Sequence, residues 1–431
     1  MSVAAAPSTV TPSARLRGTL ELPGDKSVAH RALIIGALSG GPSTVTVRSP
    51  GQDVLSTVAC LRELGVSVTD DPDGAVRRFT LGGRPSRDAT LDCGNSGTTM
   101  RLLAGALAGL PLRVALDGDA SLNRRPMERV ASLLRSTGAD VTTTDGHAPM
   151  TVAGRARLTA VTHRLPVASA QLVGAASLAA LAARGETRID APGPTRDHTE
   201  RMLASAGVAI HRSGTVTTIE GPARPRPQSL IVPGDVSSAA PWLVAAAIHA
   251  DADVTLTGVG LNPTRTALLD LLRRMGADIE ATMAASTGPE PVGDLRVRGG
   301  RPLSALSIGG AEVAGLIDEL PLLGVLMAST DGTSELRDAA ELRVKESDRI
   351  SATVAGLLAI GAQVEERQDG WRVTRGTPLD ARVETHGDHR IAIAFAVAAL
   401  TGVASSVELD DPACVAVSYP TFWEHLAAVA S

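Results

Sequence analysis

The sequence predicts an α/β protein of two similar domains, each built from three copies of one helix and strand unit. One observation is a helix-end signature, an apolar helix followed by glycine and then by alternating β-branched residues, which recurs along the chain. Glycine just past such a helix is typical of a C-cap that leads into a strand. The glycines of this signature are Gly65, Gly138, Gly207, Gly276 and Gly361.

A second set of apolar helices alternates with the first, and each leads through a turn into a β-rich segment. Their sequences are RALIIGAL, TMRLLAGALAGL, QLVGAASLAALAA, APWLVAAAI, LPLLGVLMA and HRIAIAFAVAAL. The two sets together define six repeats. The last repeat ends in YPTFWEHLAAVAS without a closing strand, so we expect the N-terminal segment ARLRGTLEL to supply it. Both chain ends would then share a domain.

A repeated Pro-Gly-Asp motif marks the domain boundaries. LPGDKSVAHR occupies residues 22–31, and VPGDVSSAAP occupies residues 232–241. Proline and glycine suit a chain crossover, because proline fixes φ and glycine permits conformations that other residues resist. We therefore predict an inserted domain at 24–233 within a discontinuous domain of 1–23 and 234–431. The second copy lacks the cations of the first and is expected to be architectural.

Composition limits the possible function classes. A chain of 431 residues exceeds the usual size of one hydrophobic core, and its net charge of −5 gives no basic surface for nucleic acid. Cys60, Cys93 and Cys414 have neither disulfide-framework nor zinc spacing, so buried thiols are expected. The longest apolar run, IAIAFAVAAL, is too short to cross a membrane. We predict a soluble cytoplasmic protein that binds neither nucleic acid nor membrane.

Polar residues concentrate where the apolar helices begin, in DKSVAHR, GNSGTTMR, ASAQ, IDELP and GDHR. Helix N-termini offer unpaired N–H groups and the positive end of the helix dipole, which suit phosphate or carboxylate. Helix capping alone would explain a single serine. Helix starts that also carry Lys26, Arg31, Arg101 and Arg390 indicate a local site for anionic ligands.

The other set of helices adds SLNRRPM with Arg125, PTRDHTERM with Arg196, and RVKESDRI. In the last of these, Lys345 and Arg349 are four residues apart and are expected to share a helix face, with Glu346 beside them. A solvated charged face is the alternative interpretation. An equivalent repeat has TRTALLDLL and lacks these groups, which favours a functional role.

These motifs, taken in order, resemble the 5-enolpyruvylshikimate-3-phosphate synthase family, the 3-phosphoshikimate 1-carboxyvinyltransferases. The resemblance runs from about residue 16 to 425 and is closest to the branch that includes glyphosate-tolerant bacterial enzymes. Val417 and Ala170 stand where better-known members have lysine and serine, and both departures resemble that branch. The implied fold is the enolpyruvyl transferase fold, an inside-out α/β barrel of three βαβαββ units per domain, with the active site in the cleft between the domains.

The implied reaction moves the enolpyruvyl group of phosphoenolpyruvate to the 5-hydroxyl of shikimate 3-phosphate and releases phosphate, a step of aromatic amino acid biosynthesis. The resemblance implies a monomer that closes on its small anionic substrates and needs no metal or organic cofactor. One alternative is a UDP-N-acetylglucosamine enolpyruvyl transferase, although such enzymes typically have asparagine at Ser27 and cysteine at Ala120. A paralogue of secondary metabolism and a non-catalytic binding protein are the others.

The resemblance also implies site residues. Those expected to bind shikimate 3-phosphate are Lys26, Ser27, Arg31, Ser169, Ala170, Gln171, Arg196, Asp318 and Lys345. Those expected to surround phosphoenolpyruvate are Lys26, Asn95, Gly97, Arg125, Gln171, Arg349 and Arg390. Asp318 and Glu346 are the expected acid and base, assisted by Lys26 or Lys345. Which carboxylate is the acid stays open, because nearby cations lower a carboxylate pKa whereas burial raises it.

Overall fold

The computed structural model describes residues 7–285 and 288–430. These residues form two compact units. The inserted unit comprises residues 24–233 and 288–290, and the terminal unit comprises residues 7–23, 234–285 and 291–430. None of the helices in this described part of the chain is both long and apolar enough to cross a membrane.

The elements are numbered along the whole chain. The strands are β1 (Thr9–Val10), β2 (Leu16–Glu21), β3 (Ser43–Arg48), β4 (Ser67–Asp73), β5 (Val76–Gly82), β6 (Ala89–Asp92), β7 (Arg113–Asp117), β8 (Asp140–Thr144), β9 (His147–Ala153), β10 (Leu158–Thr159), β11 (Thr162–Arg164), β12 (Ala183–Asp190), β13 (Ile210–Ser213), β14 (Val216–Gly221), β15 (Ser229–Ile231), β16 (Ala252–Gly260), β17 (Asp278–Met283), β18 (Val292–Arg298), β19 (Ser307–Ile308), β20 (Thr333–Leu336), β21 (Gln363–Arg367), β22 (Gly370–Thr374), β23 (Asp380–Val383) and β24 (Ser406–Leu409).

The α-helices are α1 (Lys26–Ser39), α2 (Gln52–Glu63), α3 (Gly97–Ala108), α4 (Ala120–Asn123), α5 (Glu128–Ser136), α6 (Ala170–Ala180), α7 (His198–Ser205), α8 (Val236–Ile248), α9 (Ala267–Met275), α10 (Ala311–Leu316), α11 (Leu320–Ser329), α12 (Arg349–Ala359), α13 (His389–Leu400) and α14 (Phe422–Val429). Two 3-10 helices, Ala340–Val344 and Pro412–Val417, complete the set in the described residues.

Each unit contains three sheets of similar topology. In the inserted unit the strand orders are β15-β3-β5-β4, β6-β7-β9-β8 and β10-β12-β14-β13, with β11 also paired to β12. In the terminal unit they are β17-β18-β16-β2, β19-β20-β22-β21 and β1-β24-β23. Five of the six sheets combine a parallel strand pair with an antiparallel hairpin, as expected for βαβαββ units. The predicted fold class is confirmed.

The sequence predicted the wrong neighbouring strand for the N-terminal segment. Strand β2 pairs in parallel with β16, from Leu16 opposite Ala252 to Glu21 opposite Thr257, and so belongs to the first sheet of the terminal unit. The last sheet instead receives β1, which runs antiparallel to β24. The alternating pattern of Leu16 and Leu20, both buried, identifies a strand with one covered face, but that pattern does not specify the neighbouring strand.

The apolar helices lie inside each unit and the sheets lie outside. Helices α3 and α6 are buried along nearly all their length, which explains why they are apolar on every face. A methyl group at Gly105 of α3 would lie 2.4 Å from the carbonyl oxygen of Ala175 in α6, so the two helix backbones are in direct contact. Strands such as β3 bury alternate residues, as expected for sheets with one solvent-facing side. The three cysteines are buried free thiols, as predicted.

A chain of hydrogen-bonded buried side chains, one imidazole and three hydroxyl groups, joins the first three helices of the inserted unit. His30 Nδ1 lies 2.7 Å from Thr57 Oγ1, and Thr57 Oγ1 lies 2.7 Å from Thr99 Oγ1. Thr99 donates in turn to Ser96 Oγ at 2.7 Å. Burial lowers the pKa of His30 to about 3, and the nearby charge of Lys26 adds to this while that of Asp53 opposes it. His30 is therefore a neutral member of the core near pH 7.

The low pKa of His30 predicts a specific loss of stability in acid. Because the unfolded chain binds a proton near pH 6.5 and the folded chain does not until about pH 3, stability present above pH 6.5 is lost as the pH falls through this window. We expect the unfolding free energy of the wild type to fall relative to His30→Asn by about 1.4 kcal/mol per pH unit below pH 6. Urea unfolding at a series of pH values measures this slope.

His211→Asn, which replaces an exposed histidine of the same unit, is the matched control and should follow the wild type at every pH. Parallel stability curves for the wild type and His30→Asn would contradict a neutral buried His30.

Candidate active site

Three of the five polar helix starts predicted from sequence, DKSVAHR, GNSGTTMR and ASAQ, are caps that meet at one end of the inserted unit. Asp25 accepts from the Val28 N–H at 2.9 Å at the start of α1, and Ser96 accepts from the Thr99 N–H at 3.2 Å at the start of α3. Ser169 caps α6 in the same way. Gln171 Nε2 donates to Thr98 Oγ1 at 3.0 Å, which ties the starts of α6 and α3 together. The positive ends of these helix dipoles therefore converge.

Arg31 is a buried cation at this convergence. Its Nε donates to Thr199 Oγ1 at 2.7 Å, its Nη1 to the Ser27 carbonyl at 2.9 Å, and its Nη2 to the Ala170 carbonyl at 3.4 Å. Burial lowers the pKa of Arg31 to about 10, and the negative charge of Glu200 opposes this effect. The guanidinium thus stays charged at neutral pH and contacts residues of α1, α6 and α7 at once.

Arg196 immediately precedes α7, whose N-cap is Asp197. Its positive charge also contributes to lowering the pKa of Arg31, so the two guanidinium groups are close enough to influence one another. Two neighbouring cations near a helix start are suited to a dianionic ligand such as phosphate.

Asn95 connects a cation to an acid in front of α3. Its Oδ1 accepts from Arg125 Nη2 at 2.6 Å, and its Nδ2 donates to Asp119 Oδ2 at 2.8 Å. Asp119 in turn caps α4. Arg125 lies in the turn after α4, so the short helix and its cap fix the approach of this arginine to the GNSG segment.

Gly97 lies beside the tips of two arginines. A Cβ at this position would be 2.7 Å from Arg101 Nη1 and 3.5 Å from Arg125 Nη1. Arg101 Nη1 donates to Gln171 Oε1 at 2.7 Å, so the same guanidinium also orients the Gln171 side chain. Arg101 was noted as a cation in the sequence but was not assigned to the site.

Lys26, the first residue of α1, forms an ion pair with Asp53 in the first turn of α2. The Asp53 side chain is 7% exposed and that of Lys26 is 32% exposed. A buried carboxylate thus holds the lysine while its side chain still reaches solvent. Sequence reasoning missed Asp53, because its spacing from Lys26 gives no signal until the two helices are packed together.

In the terminal unit, Arg349 lies at the centre of a cluster of carboxylates. Its Nε donates to Asp388 Oδ2 at 2.8 Å, and its Nη2 lies 2.8 Å from Glu346 Oε2. Its Nη1 is 3.8 Å from Asp318 Oδ1. Burial would lower the pKa of Arg349, but the negative charges of Asp388 and Glu346 outweigh it and raise this pKa. The two expected acid/base residues are therefore anchored on one buried guanidinium.

Asp388 holds this cluster in place. It belongs to the GDHR helix start, but the sequence predicted no role for it. Its side chain has 0% exposure and accepts from Ser347 Oγ at 3.0 Å and from the Arg390 backbone N–H at 2.9 Å. Burial raises the pKa of Asp388, but Arg349 outweighs this and lowers it overall. The N-cap position before α13 was the available sequence signal. In residues 7–285 and 288–430, no group of His, Cys, Asp or Glu side chains is arranged to hold a metal ion.

The predicted helix face shared by Lys345 and Arg349 was wrong. The 3-10 helix ends at Val344, Lys345 has extended backbone, and α12 begins at Arg349. Asp348 accepts from the Ser351 N–H at 3.1 Å and so starts a new helix at this point. Lys345 instead pairs with Glu341 at 3.0 Å.

Arg390 follows the cap of α13, and its Nη1 lies 4.0 Å from Glu319 Oε1. The structure therefore distributes the expected site residues over two groups. The inserted unit carries Lys26, Ser27, Arg31, Asn95, Gly97, Arg125, Ser169, Ala170, Gln171 and Arg196. The terminal unit carries Asp318, Lys345, Glu346, Arg349 and Arg390.

Comparison with known proteins identifies what the chain is similar to. A curated 3-phosphoshikimate 1-carboxyvinyltransferase from Gloeobacter violaceus is 48% identical over 426 residues, which cover 97% of this chain and 98% of that protein. The protein of the same name from Acidithiobacillus ferrooxidans is 47% identical over 415 residues, covering 96% of this chain and 95% of that protein.

Solved structures agree with these relatives. An EPSP synthase from Acinetobacter baumannii matches with a TM-score of 0.86 and 38% identity, over 98% of this chain and 97% of that one. The enolpyruvyl transferase NikO from Streptomyces tendae shares the fold, with a TM-score of 0.77 and 19% identity over 98% of this chain and 96% of that one. The sequence profile described as EPSP synthase (3-phosphoshikimate 1-carboxyvinyltransferase) matches residues 10–426, and the chain belongs to that family.

Proposed function

We propose that this chain transfers the enolpyruvyl group of phosphoenolpyruvate to the 5-hydroxyl of shikimate 3-phosphate, giving 5-enolpyruvylshikimate 3-phosphate and phosphate. Family membership supports this reaction. The observation that carries it is the Arg349 cluster, in which one buried cation contacts both Glu346 and Asp318. The reaction needs an acid, a base and cations that bind anions. Glu346 and Asp318 would supply the acid and the base, and the cationic helix starts of the inserted unit, with Arg349, would supply the cations.

Shikimate 3-phosphate is assigned to the helix starts around Arg31. Ser27 and Arg31 would hold its carboxylate, because the guanidinium is buried, charged and already fixed by Thr199. The phosphate would bind to Ser169 and the Ala170 N–H at the start of α6 and to Arg196, with Lys345 and Gln171 as further ligands. The helix dipole and the cations act in the same direction on this dianion.

Phosphoenolpyruvate is assigned to four cations, two in each unit. In the inserted unit these are Lys26 and Arg125, with Asn95, Gly97 and Gln171 beside them. In the terminal unit they are Arg349 and Arg390. Arginine suits this role because its planar fork binds carboxylate or phosphate through two hydrogen bonds.

The chemistry requires one proton to leave the 5-hydroxyl and one to reach the methylene carbon of phosphoenolpyruvate. We assign these transfers to Glu346 and Asp318, with Lys26 or Lys345 assisting. The hydroxyl oxygen then attacks the central carbon to form a tetrahedral intermediate that carries a methyl group. This intermediate loses phosphate by C–O cleavage and one proton from the methyl group, which re-forms the C=C bond of the enolpyruvyl product. Arg349 binds to both carboxylates, so it orients them and stabilises whichever is ionised.

We further propose that the chain belongs to the glyphosate-tolerant branch of its family and acts as a cytoplasmic monomer. Val417 in place of a lysine, and Ala170 in place of a serine, support the branch assignment. Gly97 instead favours inhibition by glyphosate. Tolerant relatives often have alanine at this position, and its extra methyl group would shorten the pocket. We expect the space at Gly97 to affect glyphosate binding more than the missing cation at Val417 does. Other cations can compensate for one that is missing, whereas a steric clash cannot be compensated.

Replacing Glu346 tests the reaction and the role of this carboxylate together. In a phosphate-release assay with phosphoenolpyruvate and shikimate 3-phosphate, Glu346→Gln should lower turnover by about 10²-fold or more, because an acid/base group is lost. Binding of shikimate 3-phosphate should be nearly unchanged. Glu366→Gln, which removes a carboxylate paired with Arg343 outside the site, is the control and should retain wild-type turnover.

Two results would contradict this proposal. Wild-type turnover with UDP-N-acetylglucosamine but not with shikimate 3-phosphate would assign a different acceptor. Turnover of Glu346→Gln within a few-fold of the wild type would remove Glu346 from the chemistry.

Replacing Gly97 tests the phosphoenolpyruvate pocket. We expect glyphosate to inhibit the wild type competitively against phosphoenolpyruvate. In Gly97→Ala, a methyl directed at the Arg101 and Arg125 tips should weaken glyphosate much more than the shorter phosphoenolpyruvate. Inhibition constants and the KM for phosphoenolpyruvate measure this difference. Equal weakening of both, or a wild type insensitive far above the phosphoenolpyruvate KM, would show that Gly97 does not set the pocket length.

A further inference from the structure

The second Pro-Gly-Asp motif carries a polar network that leads to Arg390. Arg265 Nη2 donates to Ser237 Oγ at 2.7 Å and lies 3.3 Å from Asp235 Oδ1. Ser237 Oγ donates to Glu319 Oε1 at 2.6 Å. The same Glu319 oxygen is 4.0 Å from Arg390 Nη1. Ser237 and Glu319 come from the starts of α8 and α11, and Arg390 from the start of α13.

Glu319 is a buried acid whose position is set by this network. Its side chain is 8% exposed, and an ionised carboxylate at that depth is costly unless it is hydrogen-bonded and paired. Ser237 supplies the hydrogen bond and Arg390 the opposite charge. Because Arg265 is itself buried and donates to Ser237, the hydroxyl proton is directed towards Glu319.

Arg390 needs such support more than Arg349 does. Arg349 is fixed by direct hydrogen bonds to Asp388 and is 2% exposed, whereas the side chain of Arg390 is 19% exposed. A long side chain that must be ordered when its ligand binds loses conformational entropy at that step. A partner that orders it beforehand improves ligand binding.

We propose that Glu319 is a positioning residue that orients Arg390, and that Ser237 and Arg265 hold Glu319 for this purpose. The inference rests on the proposed role of Arg390 in binding phosphoenolpyruvate. It revises the sequence expectation for the second motif: VPGDVSS has lost the cations of the first copy, but its serine contributes indirectly to the site through Glu319.

A purely structural network is the alternative, and Ser237→Ala separates the two. This variant removes the hydrogen bond to Glu319 and leaves every charge in place, so it changes the position of Glu319 without changing the local electrostatics. We expect the KM for phosphoenolpyruvate to rise about five-fold, the scale of about 1 kcal/mol for one hydrogen bond. Turnover at saturation and the KM for shikimate 3-phosphate should stay within two-fold of the wild type.

Two further variants complete the test in the same phosphate-release assay. Ser334→Ala, which replaces another fully buried serine of the terminal unit, is the matched control and should leave the phosphoenolpyruvate KM unchanged. Glu319→Gln should raise that KM at least as much as Ser237→Ala. In an Arg390→Gln background, Ser237→Ala should cause no additional rise, because the side chain that it positions is absent.

The outcomes distinguish the inference from the proposal on which it rests. If Arg390→Gln raises the phosphoenolpyruvate KM but Ser237→Ala does not, the positioning role is overturned and the binding role of Arg390 stands. If Arg390→Gln itself leaves that KM unchanged, the assignment of Arg390 fails and the inference fails with it. A lower KM in Glu319→Gln would overturn the inference by showing that Glu319 competes with the substrate. Equal rises in the KM for both substrates would indicate a general structural effect and also overturn it.

Discussion

The terminal unit's contribution to the proposed site depends on the burial of one positive charge, Arg349. A guanidinium that is 2% exposed is stable only if carboxylates and hydrogen bonds replace the water that it has lost. Asp388, itself inaccessible to solvent, and Glu346 each lie 2.8 Å from the guanidinium, and Asp318 is 3.8 Å from it. The chain therefore obtains two positioned carboxylates from the requirement to neutralise one buried arginine.

The repeated architecture explains how this arrangement is possible. Each unit places the starts of three apolar helices near one another, and a helix start tolerates polar residues because its N–H groups are otherwise unsatisfied. The inserted unit uses these positions for cations, among them the partly exposed Lys26 and the buried Arg31. The terminal unit uses them for buried pairs, Arg349 with Asp388 and Ser237 with Glu319. One frame thus holds cations at helix starts in both units, and in the terminal unit it also holds the carboxylates that pair with them.

The sequence predicted the repeats and the helix starts because both depend on local signals. Glycine C-caps, apolar helices and N-terminal caps such as Ser96 are recognisable over a few residues. The partner of β2 was not predictable in this way, because hydrophobic alternation identifies a strand and not its neighbour. The break before Arg349 was missed because Asp348 can either continue a charged helix or cap a new one. Asp53 and Glu319 became evident only when distant helices were packed together. The N-cap position of Asp388 was visible in the sequence, but its pairing with Arg349 was not.

The most direct test of this account is the turnover of Asp388→Asn, measured by phosphate release under conditions where the variant remains folded. Asparagine has the same shape but no charge, so Arg349 would bind Glu346 and Asp318 in a changed geometry. The account predicts that kcat falls by about 10-fold or more, the scale expected when acid/base groups are displaced. A variant that folds and retains kcat within two-fold of the wild type would show that the buried pair does not control the chemistry.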